Sequence, residues 1–390
     1  MPSGPRHQPI RAAQHGRCHA VQQGPHAGHK SLALLLKPSR RGASLGVGLD
    51  IRSHCRSPYF KTNRDIKVNF RRQLLLAGSA LCVSLSSAVS AAPEAWPTKT
   101  VRILVGFPGG STPDIVARSL AEPLAKALGQ AVIVENKAGA SGNIAADQVA
   151  KATDDHTLGI VINGNLTSAK MLYPKLPYDP AKDFSYISLL ASAPLVLVAP
   201  ATSPDGAAFF AAAAQNGDKW NYGSVGNGSV GHLGMEVLKT KAKGLAPMHV
   251  PFKGNPEVIT GLLGGEIQMA LVPPGIAMPQ VKAGKLKAIG LTSGRSAVVP
   301  EVPPLADSGV RDFNVEVWTA LIGPAKLSKA AQDRLNAEVP KIIRSEETRQ
   351  KLLTQGWQAL GTSPDGLKSR IKDEAAIMND IITGRRIKLE

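Results

Sequence analysis

Two stretches of this sequence carry residue types suited to holding a small anion: Phe107-Pro-Gly-Gly-Ser-Thr-Pro-Asp114 and Asn221-Tyr-Gly-Ser-Val-Gly-Asn-Gly-Ser-Val-Gly-His232. Each is a glycine- and hydroxyl-rich loop between an apolar, strand-like run and a helix-like segment. A helix entered from such a loop presents unpaired backbone N–H groups and the positive end of its dipole. Glycine lets the backbone approach a ligand closely and take positive φ. In the first loop the candidate ligand contacts are Phe107, Gly109, Gly110, Ser111 and Thr112. Asp114 is negative, so its expected role is to hold the loop or to meet an ammonium or hydroxyl group, with Arg118 as its i, i+4 partner. In the second loop the candidates are Gly223, Ser224, Gly226, Asn227 and Ser229, and His232 serves either as a donor or as packing. A third set, Asn163, Asn165, Thr167 and Ser168, follows the third strand-like run. The plainer reading of all three is ordinary turn chemistry.

The same residues argue against catalysis. Downstream of residue 91 the histidines are His156, His232 and His249. None is spaced as a zinc-binding pair, and there is no Gly-x-Ser-x-Gly elbow. Gly226-Asn-Gly-Ser-Val-Gly231 meets the bare dinucleotide pattern but lacks an acidic residue at the end of the next strand. A hydrolase using Ser229 is a weak alternative, and no cofactor or metal is expected. No arginine falls inside the loops, so a carboxylate there would be met by amides, hydroxyls and bridging water.

Charge and cysteine usage divide the chain. The formal net charge is +17, but the first 91 residues hold 14 Lys+Arg against 2 Asp+Glu, leaving 32 and 27 for the remainder. The remainder has scattered basic residues and few aromatics, so nucleic acid is not an expected partner. Cys18, Cys55 and Cys82 all precede residue 91. Residues 1–66 read as a disordered or over-called extension. Residues 67–91 read as a signal peptide: Lys67, Arg71 and Arg72, an apolar run from Leu74 to Val89, and a small-x-small site at Val89-Ser90-Ala91. The run is shorter than the roughly 20 residues of a membrane span. A periplasmic location follows as an expectation.

The elements that position the loops alternate. Apolar runs at Val101–Phe107, Ala131–Glu135 and Thr157–Ile162 are separated by helical patterns at Asp114–Leu128 and Gly142–Lys151. This rhythm predicts a doubly wound α/β sheet with ligands at the strands' carboxyl ends. Residues 220–291 repeat the theme. Two stretches cross, near 197–200 and 315–321, and the tail is helical. The expectation is a two-lobed hinge protein, each lobe a mostly parallel sheet flanked by helices: lobe 1 from 92–198 and 319–390, lobe 2 from 199–318.

Seven segments in register resemble one family. They are Phe107-Pro-Gly-Gly-Ser-Thr-Pro-Asp-Ile-Val-Ala-Arg118, Val134-Glu-Asn-Lys-Ala-Gly-Ala-Ser-Gly-Asn143, Tyr178-Asp-Pro-Ala-Lys-Asp-Phe184, Tyr222-Gly-Ser-Val-Gly-Asn-Gly-Ser229, His249-Val-Pro-Phe-Lys-Gly254, Leu262-Leu-Gly-Gly-Glu266 and Gly284-Lys-Leu-Lys-Ala-Ile-Gly-Leu-Thr-Ser293. From about Pro97 onward the chain resembles the Bug family, the extracytoplasmic solute-binding receptors of tripartite tricarboxylate transport. The resemblance implies a periplasmic flytrap fold, a monomer that captures a small organic carboxylate through backbone amides and water, and delivery to membrane permease subunits. It implies no catalysis and no cofactor. A ligand sensor docking on a sensor kinase is the alternative.

Overall fold

The computed structural model describes residues 96–387, so the expected signal peptide and the extension before it lie outside the described residues. Among the described residues, eleven strands form two sheets. In chain order they are β1 (Val101–Val105), β2 (Val132–Asn136), β3 (Thr157–Ile162), β4 (Phe184–Pro194), β5 (Val196–Pro200), β6 (Asn221–Ser224), β7 (Met248–Pro251), β8 (Met269–Val272), β9 (Leu286–Leu291), β10 (Glu316–Pro324) and β11 (Gln358–Ala359). The first sheet has the order β11-β4-β10-β3-β1-β2 and the second β7-β6-β8-β5-β9.

Both sheets are mixed, which corrects the expectation of mostly parallel ones. β1 runs parallel to β2 and β3, and β6 runs parallel to β7 and β8. β10 is antiparallel to β3 and β4, and β5 is antiparallel to β8 and β9. The connectivity explains this. β4 leads the chain out of the first sheet and β10 brings it back, so two strands lying side by side must run in opposite directions. The chain leaves the first sheet at Pro194 and enters the second at Val196, with Leu195 between them. Residues Ile187 to Ala199 are buried without a break, so hydropathy alone carries no mark of that changeover.

β1 and β3 are buried as expected of strands covered on both faces. The helix Thr112–Leu128 starts with Pro113 in its first turn, where a missing N–H costs nothing, and stops at Gly129 with φ +71°. Its buried face, including Val116, Ala117, Leu120 and Leu124, packs into the main core. Two helices absent from the sequence reading are Gly206–Asn216 and Pro274–Lys282. The second begins at a Pro-Pro pair, with Pro273 at the N-cap and Pro274 in the first helical turn, where a missing N–H costs nothing. The Asn163–Ser168 segment is also not a plain turn, because Asn163–Leu166 forms a short helix.

Candidate functional site

In each sheet the strand next to one edge has a parallel neighbour on either side, β2 and β3 around β1, β7 and β8 around β6. Such switch points open a crevice at the strands' carboxyl ends. The two crevices face one another, and residues from both line a common chamber: Phe107, Ser111 and Thr112 after β1, Val225, Val230 and Gly231 after β6.

The first loop divides its labour. Asp114 accepts from Gly110 N–H at 2.9 Å, from Arg118 Nε at 3.0 Å and from Asn136 Nδ2 at 2.9 Å. Burial pulls its carboxyl up, but Arg118, Gly110 and Asn136 together hold it below the ordinary value. Asp114 is thus a loop organiser with its acceptors spent. Gly109 and Gly110 lie exposed at the lip, and Gly110 takes φ +77°. Ser111 occupies the N-cap position of the 112–128 helix without capping it. Its Oγ is buried and has no hydrogen-bond partner among the described residues. Phe107 is buried against the Gly142 backbone.

The side chains of the second loop turn inward to hold it. Ser224 Oγ shares a 2.7 Å hydrogen bond with His249 Nε2 and accepts from Gly226 N–H. Ser229 Oγ caps the helix Val230–Lys241 by accepting from His232 N–H. His232 Nδ1 accepts from Gly228 N–H at 3.1 Å. The His232 and His249 rings stack at 4.3 Å, with Tyr222 alongside and its hydroxyl donating to Glu236 at 2.7 Å. Burial brings the His232 imidazole down to about 4 and that of His249 to about 3. Of the two roles open to His232, the geometry is that of a neutral packing residue that accepts from the loop.

The third set is largely committed, Asn163 Oδ1 alone of its side-chain atoms being buried without a partner among the described residues. Asn165 donates to Ser141 O and Asn143 Oδ1 and accepts from Ile162 N–H. Asn163 Nδ2 donates to Glu316 O and to Glu374 Oε1 at 2.7 Å. Thr167 bonds back to Asn163 O. Ser168 Oγ crosses the cleft to Gly228 O at 2.8 Å.

Three more side chains, silent in the sequence, cross the same cleft. Asn255 Nδ2 donates to Thr112 Oγ1, while Ser141 Oγ at 2.9 Å and Tyr173 OH at 3.0 Å donate to Asn227 O. The lobes are therefore closed. The chamber between them measures about 30 Å³, room for one or two waters. A solute of several carbons requires the lobes to part further than here.

The model of the tripartite tricarboxylate transporter family receptor matches residues 116–387. The chain belongs to this receptor family. Protein BugT of Bordetella pertussis is 29% identical over 329 residues, covering 82% of this chain and 100% of BugT. MatC from Rhodopseudomonas palustris, solved with bound malate, is 32% identical with a TM-score of 0.69, covering 74% of this chain and 100% of MatC. A second R. palustris protein, solved with adipate, is 28% identical with a TM-score of 0.72, covering 75% of this chain and 99% of that one. The Bug resemblance read from seven motifs is thereby confirmed, as is the two-lobed α/β fold.

Proposed function

We propose that this chain is a periplasmic solute-binding receptor that captures a small organic carboxylate between its lobes and hands it to the membrane subunits of a tripartite tricarboxylate-type transporter. The observation that carries this reading is Ser111. Its hydroxyl is 1% exposed, unpartnered, and placed at the N-terminus of a 17-residue helix on the chamber wall. A buried hydroxyl without a partner is costly, and a carboxylate oxygen offers the acceptor it lacks, in a place where the helix dipole favours negative charge. The malate and adipate held by family members support the same class of solute.

The mechanism is a shift between open and closed lobes. A solute that touches both crevices binds best a form held a little wider than this collapsed one, and so populates it at the expense of the open form. Residues 67–91 would direct export, and the receptor acts as a monomer. The family and its structural neighbours are solute-binding proteins, not enzymes. Consistent with that, the Ser224–His249 pair stands behind the loop and lines no part of the chamber. The reading is tested by thermal unfolding of the protein, stripped of bound solute by refolding, against a panel of carboxylates and their amides. A carboxylate at a hundred times its dissociation constant should add about 2.7 kcal/mol. Equal shifts from acids and amides, or none from any acid, would reject the reading.

A further inference from the structure

We infer that the first lobe carries a second ligand site, outside the interlobe chamber, for a small monocarboxylate with an apolar body. The inference goes beyond the receptor reading and does not depend on it.

A pocket of about 500 Å³ opens between the helix Asn143–Ala150 and residues 173–177. That volume falls within the roughly 300–1,000 Å³ of small-molecule sites. Every residue lining the pocket belongs to the first lobe, so its size does not depend on how far the lobes part. Its walls are mostly apolar, built by Ala140, Ile144, Tyr173, Pro174, Leu176 and Pro177, and Ile144 is 45% exposed.

The polar group that points to a ligand is Asn143, which is 5% exposed and lines the pocket. A chain of hydrogen bonds fixes its orientation. Ile162 N–H donates to Asn165 Oδ1, so the other arm of the Asn165 amide is the donor, and Asn165 Nδ2 donates to Asn143 Oδ1 at 2.8 Å. Tyr178 OH donates to the same Oδ1 at 2.7 Å. Asn143 Nδ2 is thereby turned away from Asn165 and Tyr178, neither of which lines the pocket. It is buried and has no partner among the described residues. A buried amide N–H without an acceptor is costly, and an oxygen of a ligand seated in the pocket supplies that acceptor.

The charges around the pocket select the kind of oxygen. Asp147 is already paired with Lys151 at 2.6 Å. Lys175 is exposed at the rim and pairs with no carboxylate among the described residues. One positive charge is left over, which favours a carboxylate over a neutral carbonyl, and one carboxylate over two. Tyr173 belongs to both sites. It lines the pocket, while its hydroxyl donates to Asn227 O at 3.0 Å across the cleft. An occupant of the pocket thus packs against a side chain of the lobe-to-lobe seam.

The test uses 4-bromobenzoate and its amide, 4-bromobenzamide, as probes on the solute-stripped protein. Anomalous scattering from bromine in soaked crystals gives the site. The backbone amide NMR shifts of Ile144 and Leu176 give the affinity at this site in solution. The bromine should lie between residues 143–148 and 173–177, and the acid should bind at least about fivefold tighter than the amide. Ile144→Glu, at an exposed wall position, should weaken the acid by about tenfold or more. Lys175→Glu reads the same loss if that variant does not fold. Bromine found only in the interlobe cleft, or binding at crystal concentration only with no saturable shift in solution, would overturn the inference. Equal affinities of acid and amide, or a folded variant that binds like the wild type, would overturn it as well.

Discussion

Asn255 Nδ2 donates to Thr112 Oγ1 at 2.7 Å, joining the first residues of two helices that belong to opposite lobes. Both side chains are buried, so the bond exists only while the lobes are closed. Asn255→Ala removes the donor without touching either sheet. The expected outcome is a loss of about 1 kcal/mol in solute affinity, with the melting temperature of the solute-free protein almost unchanged. Calorimetry with and without the substitution checks it. An equal loss of solute-free stability would mean that the bond supports the fold instead of closure.

Gly254 makes a sharper test of closure. Its backbone is extended, at φ −169°, a conformation open to any residue. A Cβ there would lie 2.7 Å from Ser111 Oγ and 2.8 Å from Pro108 Cδ across the cleft. The hydroxyl can turn away, but the proline ring cannot. Gly254→Val should therefore fold normally and stay open, at a cost to closure of roughly 1–3 kcal/mol. Small-angle scattering should show the wild type contracting with saturating solute and the variant failing to contract. Contraction of the variant to the wild-type radius would refute this.

Asp114 predicts a loop effect. Asp114→Ala releases Gly110 N–H, the Arg118 guanidinium and Asn136 Nδ2 together. The expected result is a destabilisation of about 1–3 kcal/mol and a larger loss of affinity, since the Ser111 hydroxyl loses its fixed place. Because the folded carboxyl sits below its ordinary value, its contribution is present at neutral pH and fades only as pH falls through that depressed value. Denaturant unfolding at neutral pH is the check. Unaltered stability together with unaltered affinity would remove Asp114 from the site.

These residues also mark where sequence was enough. The strand–helix alternation after β1 was legible because β1 and β3 are mostly apolar and buried, and the loops that follow them carry Gly, Ser and Thr. The Asp114–Arg118 pair followed from i, i+4 spacing and is present at 3.0 Å. Asn255, Ser141 and Tyr173 gave no signal, because their partners are backbone or hydroxyl oxygens brought close only by the meeting of two lobes. Asn163 and Asn165 gave a misleading one. Asparagine has donors and acceptors for a ligand or for the protein's own frame, and only the fold shows Asn163 bound to the buried Glu374. Sequence also could not show that Ser224 and His232 face into the loop, since that depends on His249, which arrives on β7.

The stacked His232 and His249 set the acid limit of the second loop. Burial holds His232 at about 4 and His249 at about 3, well below the ordinary 6.5, so both are neutral in the folded protein near pH 7. The groups facing the pair are Tyr222, which stacks on it, Glu236, which accepts from Tyr222, and Lys239, which pairs with Glu236. Below about 6.5 the unfolded chain takes up protons that the folded pair refuses, so the pair's contribution is whole above that pH and shrinks as pH drops toward 4. Between pH 7.5 and 5 the loss should be about 2 kcal/mol for either histidine. His249→Gln keeps a donor for Ser224 but cannot titrate, so it should remove about half of the pair's pH dependence in urea unfolding, His232 carrying the rest, while preserving solute binding at pH 7.5. A variant whose stability still falls as steeply as the wild type over this range would show that other groups carry the acid sensitivity.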